Sequence, residues 1–186
     1  MSQILIGWSG RARHGKTECT QAVKTFAESE GKTVGVYDIG AMILETCIKQ
    51  NRLPNIKRTD MSRDQLQTLI DVGKEIKNHF GQDYFAKRVV GKAQEDGVDV
   101  AMCPNLRLAV EAETFRNAGG VVVRLSSLNK DGSPYISPDR DPNDVTETSL
   151  LFWPAQFYLT VVDPVDAEWI KRQAVTLYRY IAGYTS

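Results

Sequence analysis

Residues 10–17 read GRARHGKT, which places Gly10, Gly15, Lys16 and Thr17 at the spacing G-x-x-x-x-G-K-[ST] of a phosphate-cradling loop. Two glycines let the backbone turn tightly enough for several N–H groups to point at one centre. A helix opening near Gly15 adds the positive end of its dipole. Gly10, Arg11, Ala12, Arg13, His14, Gly15, Lys16 and Thr17 are therefore the expected nucleotide-binding set. Lys16 is expected to bridge the outer phosphates and the Thr17 hydroxyl to ligate Mg²⁺. His14 is read as solvated rather than catalytic.

Such a loop works only between a strand and a helix, and both flanks fit. Residues 3–9, QILIGWS, form a short aliphatic run that reads as a buried strand. Residues 16–30 carry Cys19, Ala22, Val23, Phe26 and Ala27 at helical spacing, and Gly31 ends the pattern. Further out, TVGVYDI (33–39), VDVAMC (98–103), VVVRL (121–125) and FYLTVVD (157–163) read as strands, VDVAMC being stopped by Pro104. Helices are predicted over 41–50, 62–80, 83–97, 106–120 and 164–181. The second of these is capped by Ser62 with Gln65 as its capping-box partner, and its apolar stripe is Leu66, Leu69, Ile70, Gly73 and Ile76. Alternating strands and helices predict an α/β fold: a doubly wound, mostly parallel five-stranded sheet flanked by helices, of the phosphate-loop kinase type. Residues 126–149, rich in Pro, Asp, Ser and Asn, do not fit that alternation and read as a functional, lid-like loop.

The 186 residues suit one domain spanning 1–186, with no repeat, linker or low-complexity tract. Formal net charge is +0, so no global field draws in nucleic acid or an anionic membrane. Cys19, Cys47 and Cys103 are widely spaced, which argues against a disulfide framework or zinc site and suits a reducing cytosol. His14 and His79 cannot build a histidine-rich metal centre. With no leader pattern and no apolar run near 18 residues, the expected location is cytoplasmic.

Folds with this loop often place an acid at the end of a neighbouring apolar strand, to hold Mg²⁺ through water. After VDVAMC stand Pro104 and Asn105, and Asp99 falls within the strand. Asn105 can orient a metal-bound water without supplying charge. Asp38 is the other acid on the same edge, either a substrate contact or the cap of the helix that follows.

Several segments together resemble the phage-type deoxynucleoside monophosphate kinases. MSRDQLQTLIDVGKEIKNHFGQDYF resembles that family's R-x-x-L-Q helix through Arg63, Leu66, Gln67 and Gly73. NLRLAVEAETFRNAGGVVVRL resembles its D-x-R helix and G-G strand through Arg107, Glu111, Gly119 and Gly120, with Asn105 in place of aspartate. DVTETSL resembles its H-x-S-E segment, with Glu147 kept, Thr146 for serine and Asp144 for histidine. The resemblance implies an ATP- and Mg²⁺-dependent kinase that moves the γ-phosphoryl group onto a deoxynucleoside monophosphate. Under it Lys16, Arg107 and Arg140 are catalytic. Arg63 and Arg107 bind the acceptor phosphate, Glu111 orients Arg107 or contacts the acceptor's sugar or base, and Arg140 with Lys130 forms a lid over ATP; Asp38, from its place on the sheet edge, is the further candidate for substrate binding. A homodimer is possible, and the compartment is a host cytoplasm if the gene is a phage's.

The departures at Asn105, Asp144 and Asp163, where the family tends to asparagine, surround the expected acceptor. They keep a second reading open: a kinase for 5-hydroxymethyluracil in phage DNA, the only one with a DNA partner. A third is a nucleotide-binding regulatory module with little transfer activity. A GTPase switch lacks its N-K-x-D motif here, and a motor ATPase lacks its acidic pair.

Overall fold

In the computed structural model, which describes residues 3–138, 141, 143–151, 153–162 and 167–183, the run before the phosphate loop is a central strand. This strand, β1 (Ile4–Ser9), lies between β3 (Val100–Leu106) and β4 (Val121–Leu128), with β2 (Val34–Val36) and β5 (Phe157–Val162) at the edges. Every pairing is parallel, so the order β2-β3-β1-β4-β5 brings all carboxyl ends to one edge. This is the expected doubly wound five-stranded sheet.

Both faces of β1 are covered, which explains its unbroken apolar run. Ile6 and Trp8 pack under α1 (Lys16–Ser29) and α7 (Ala167–Ile181) with Val23, Ala27, Ile170 and Tyr178. Leu5 packs on the other face, under α4 (Tyr84–Asp96) and α5 (Ala109–Asn117), with Phe85, Leu106 and Phe115. Burying a side chain such as Phe115 contributes roughly 2 kcal/mol. Gly7 is required at the same place, because a Cβ there would lie 2.2 Å from Leu106 Cδ1.

Beside these layers, α2 (Ile39–Lys49) and α3 (Arg63–Phe80) share a small core of Cys47, Leu53, Leu69 and Val72. The capping box at α3 forms as expected: Ser62 Oγ accepts the Gln65 N–H at 3.3 Å, and Gln65 Oε1 accepts the Ser62 N–H at 2.8 Å. The buried stripe is shifted, however. Ile70 is 43% exposed and Val72 takes its place, because α3 meets α2 rather than the sheet.

Two strand ends also differ from expectation. β3 does not stop at Pro104 but runs to Leu106, and its register with β1 slips between Gly7↔Cys103 and Ser9↔Leu106. The slip is a bulge that absorbs the proline, which β2 no longer flanks. β4 continues to Leu128, taking the first residues of the expected loop, and a short helix α6 (Val145–Thr148) forms near the loop's end.

Candidate functional site

The phosphate loop follows β1 directly and is held open by steric necessity at both glycines. Gly10 has φ 134°, and a Cβ there would lie 2.4 Å from the Leu125 carbonyl oxygen. Gly15 has φ 79°, with its Cβ position 2.6 Å from Ile170 Cδ1. Arg13 is also left-handed, at φ 63°. Gly15 caps α1 without a side-chain hydrogen bond, so no capping side chain takes up the first-turn N–H groups, as an anion site requires. Lys16 is buried and folded back: Nζ donates to the carbonyls of Gly10 at 2.9 Å and Arg11 at 2.6 Å. Thr17 beside it is exposed.

His14 is not solvated. It is 4% exposed, with Nδ1 3.2 Å from the Leu125 carbonyl and Nε2 3.1 Å from that of Tyr135. The ring therefore ties the loop to β4 and to the turn beyond it. Burial lowers its pKa from 6.5 against the opposing pull of the two carbonyls, and Lys16 and Arg11 lower it further.

Residues 147–151 dock across the carboxyl ends of β1, β3 and β4. Glu147 Oε2 accepts the Ala12 N–H of the phosphate loop at 3.0 Å, and its Oε1 accepts from Arg107 Nη1 at 2.9 Å. Ser149 Oγ accepts the Ala109 N–H at 3.0 Å, and Arg124 donates to the carbonyls of Leu150 and Leu151. Between this segment and the loop is a cavity of about 290 Å³ with leucine walls. Arg11, Arg107, Arg124 and Glu147 supply its charge. Arg11 Nη1 is buried with no hydrogen-bond partner among the described residues. A partly open, largely apolar space with guanidinium groups in its wall suits a compact organic anion.

The β2–β3 end of the same edge is organised differently. Asp38 caps α2: its Oδ1 accepts the Ala41 N–H at 2.9 Å and Asn105 Nδ2 at 3.1 Å. Asn105 Oδ1 in turn accepts the Ile39 N–H at 3.2 Å. Asn105 therefore stabilises the start of α2 instead of aiming at a metal, and Asp38 acts as a cap outside the cavity. Glu111 is 1% exposed; Oε2 accepts the N–H groups of Arg107 at 2.9 Å and Leu108 at 3.1 Å, and Oε1 accepts from Lys77 at 2.9 Å. It fixes the Arg107 backbone and leaves the guanidinium to Glu147. Arg63 is exposed at the start of α3 and does not line the cavity.

Of the residues expected from sequence, the loop from Gly10 to Thr17 and Arg107 come together; Asp38, Arg63 and Glu111 stand apart in the roles just given. Lys130 is exposed in the turn after β4, and Arg140 and Asp163 lie outside the described residues. Sequence reasoning missed Lys77 as the cation for Glu111, the orphaned Arg11 nitrogen, and Arg58, whose guanidinium would lie 2.3 Å from a Cβ at Gly40. Only the glycine in the first turn of α2 could have signalled Arg58. Among the described residues there is no group of three or more His, Cys, Asp or Glu that could hold a metal ion. No helix among the described residues is long and apolar enough to cross a membrane.

No protein-family model matches the chain, and no curated protein matches it. Similar solved structures include the APS kinase of Mycobacterium tuberculosis, at 12% identity and TM-score 0.45 over 95% of this chain and 97% of that one. Another is the shikimate kinase of Aquifex aeolicus, at 12% identity and TM-score 0.46 over 98% of this chain and 100% of that one. The shikimate kinase of Acinetobacter baumannii in complex with shikimate is similar at 13% identity and TM-score 0.47, over 98% and 94% of the two chains.

Proposed function

We propose that the protein is an ATP-dependent kinase that moves the γ-phosphoryl group of ATP onto a nucleotide-type acceptor, a deoxynucleoside monophosphate. The observation that carries this reading is the phosphate loop at the carboxyl edge of the parallel sheet, with Lys16 beside a cavity lined by Arg11, Arg107 and Arg124. Phosphoryl transfer needs positioning and positive charge more than a covalent nucleophile, and this edge is rich in both.

In this reading the loop N–H groups and the first turn of α1 bind the donor phosphates. Lys16 exchanges the Gly10 and Arg11 carbonyls for phosphate oxygens, so the charge now folded over the loop comes to neutralise the γ-phosphoryl group. Thr17 would hold Mg²⁺, which would supply positive charge to offset that of the donor phosphates. Arg107, fixed at its backbone by Glu111, presents its guanidinium to the acceptor phosphate. The acceptor oxygen is then already anionic and needs no general base.

The test is transfer of label from γ-labelled ATP with Mg²⁺ to the four deoxynucleoside monophosphates and, separately, to DNA containing 5-hydroxymethyluracil. Label on a monophosphate is the expected result. Label in DNA alone replaces the acceptor with the modified base, and label nowhere turns the reading to a nucleotide-binding module.

A further inference from the structure

One carboxylate serves two anion-binding groups at this edge. Ala12 N–H belongs to the phosphate loop, and Arg107 Nη1 is the nearest guanidinium of the acceptor side; Glu147 accepts from both, at 3.0 and 2.9 Å. The carboxylate is buried, with the residue 7% exposed, and it comes from α6, far along the chain from either partner. A loop amide and an arginine fork are the donors that phosphate oxygens take. The side chain therefore stands where a phosphate has competing claims on both sides.

We propose that Glu147 is a positioning residue that links donor and acceptor binding. While it spans Ala12 and Arg107, it holds the loop amide and the guanidinium out of use together. A donor phosphate arriving at the loop competes for the Ala12 N–H and repels the carboxylate, and loss of that contact releases Arg107 for the acceptor. Occupancy by an acceptor phosphate on Arg107 weakens the same carboxylate's hold on the loop, so the effect is reciprocal, as linkage demands. Binding of the two substrates is then cooperative, and the enzyme builds its acceptor site when ATP is in place, which disfavours wasteful transfer from a half-formed site. This rests on the kinase reading above and adds the order and coupling of its substrates.

The experiment is calorimetric titration of the full chain with the β,γ-imido analogue of ATP plus Mg²⁺. It is repeated with the monophosphate that takes label in the transfer assay, each ligand alone and in the presence of the other. In the wild-type chain each ligand is expected to tighten the other's binding about tenfold, within the usual range of allosteric coupling. Glu147→Gln keeps the shape and removes the charge. It should bind the ATP analogue about tenfold tighter than wild type when alone, and bring the coupling to within about twofold of none. A wild-type chain that binds both ligands independently overturns the proposal without any variant. So does Glu147→Gln that weakens the ATP analogue, because the carboxylate would then merely brace the loop. Unchanged coupling in a folded variant overturns it as well. Failure of the kinase reading looks different: the wild-type chain would bind no ATP analogue at all, or no monophosphate would take label. If no monophosphate takes label but the analogue binds, its affinity for Glu147→Gln against wild type decides the proposal alone.

Discussion

The two ends of the sheet's carboxyl edge are both polar, yet they use their polar groups in opposite ways. At the β2–β3 end, Asp38 and Asn105 are spent on the amides of Ala41 and Ile39 and on each other, and these bonds complete a helix start. At the β1–β4 end, Lys16 rests on the carbonyls of its own loop and Glu147 on a loop amide and Arg107. A helix-start bond has no better partner to offer; a lysine on a carbonyl does, since a phosphate oxygen carries charge. Polar groups that a phosphate could draw from their present partners mark the candidate site, and groups committed to the amides of a helix start mark its support.

The sharpest way to break this contrast is Lys16→Ala. It should lower the transfer rate by a factor of about 100 or more, the scale of losing one charged donor to a transition state. The melting temperature should stay within a few degrees of wild type, because Gly10 and Arg11, whose carbonyls it holds, are only half-buried. A transfer assay and a thermal melt on the same preparation measure both. A large loss of stability with modest loss of rate would make Lys16 a strut and erase the difference between the ends. The mirror experiment is Asp38→Ala, which removes an N-cap and should cost about 1 kcal/mol in urea unfolding. Its transfer rate should remain within about threefold of wild type, since no transition-state contact is removed. A selective loss of rate would move Asp38 from support to site.

What the sequence made legible follows the range of the interactions involved. The phosphate loop, the α3 capping box and the five strands depend on neighbours a few residues away, and GRARHGKT, SRDQ and the aliphatic runs carry them in plain order. The β3 bulge at Pro104 was invisible because it depends on β2 having ended one strand away. The Ile70 and Val72 exchange depends on which helix α3 meets, and helical period alone does not say. Glu147 could be noticed through its family resemblance, but its place in the phosphate loop is a contact across 135 positions. His14 is the clearest case: its partners are backbone oxygens more than 100 positions away, and no residue type in the sequence announces them.

His14 also supplies the smallest and most discriminating prediction for the β1–β4 end. Its ring nitrogens face two acceptors, the carbonyls of Leu125 and Tyr135, and only the imidazolium can donate to both. Burial opposes that charge and is the largest influence, and Lys16 and Arg11 oppose it too, so the pKa lies below 6.5. The sign follows from proton counting: between the lowered value and 6.5 the unfolded chain binds more protons than the folded one. The contribution of His14 to stability is therefore whole above 6.5 and is lost as pH falls through the folded pKa. Urea unfolding from about pH 8 to about pH 5, for the wild type and His14→Gln, isolates this term, because other titrations cancel in the difference. The wild-type advantage should shrink on acidification, with a slope of less than one proton. If it grows instead, the two carbonyls have outweighed burial and the ring is charged in the folded protein. The loop would then carry a third cation beside Lys16 and Arg11, and the attraction of this end for phosphate would rise as pH falls.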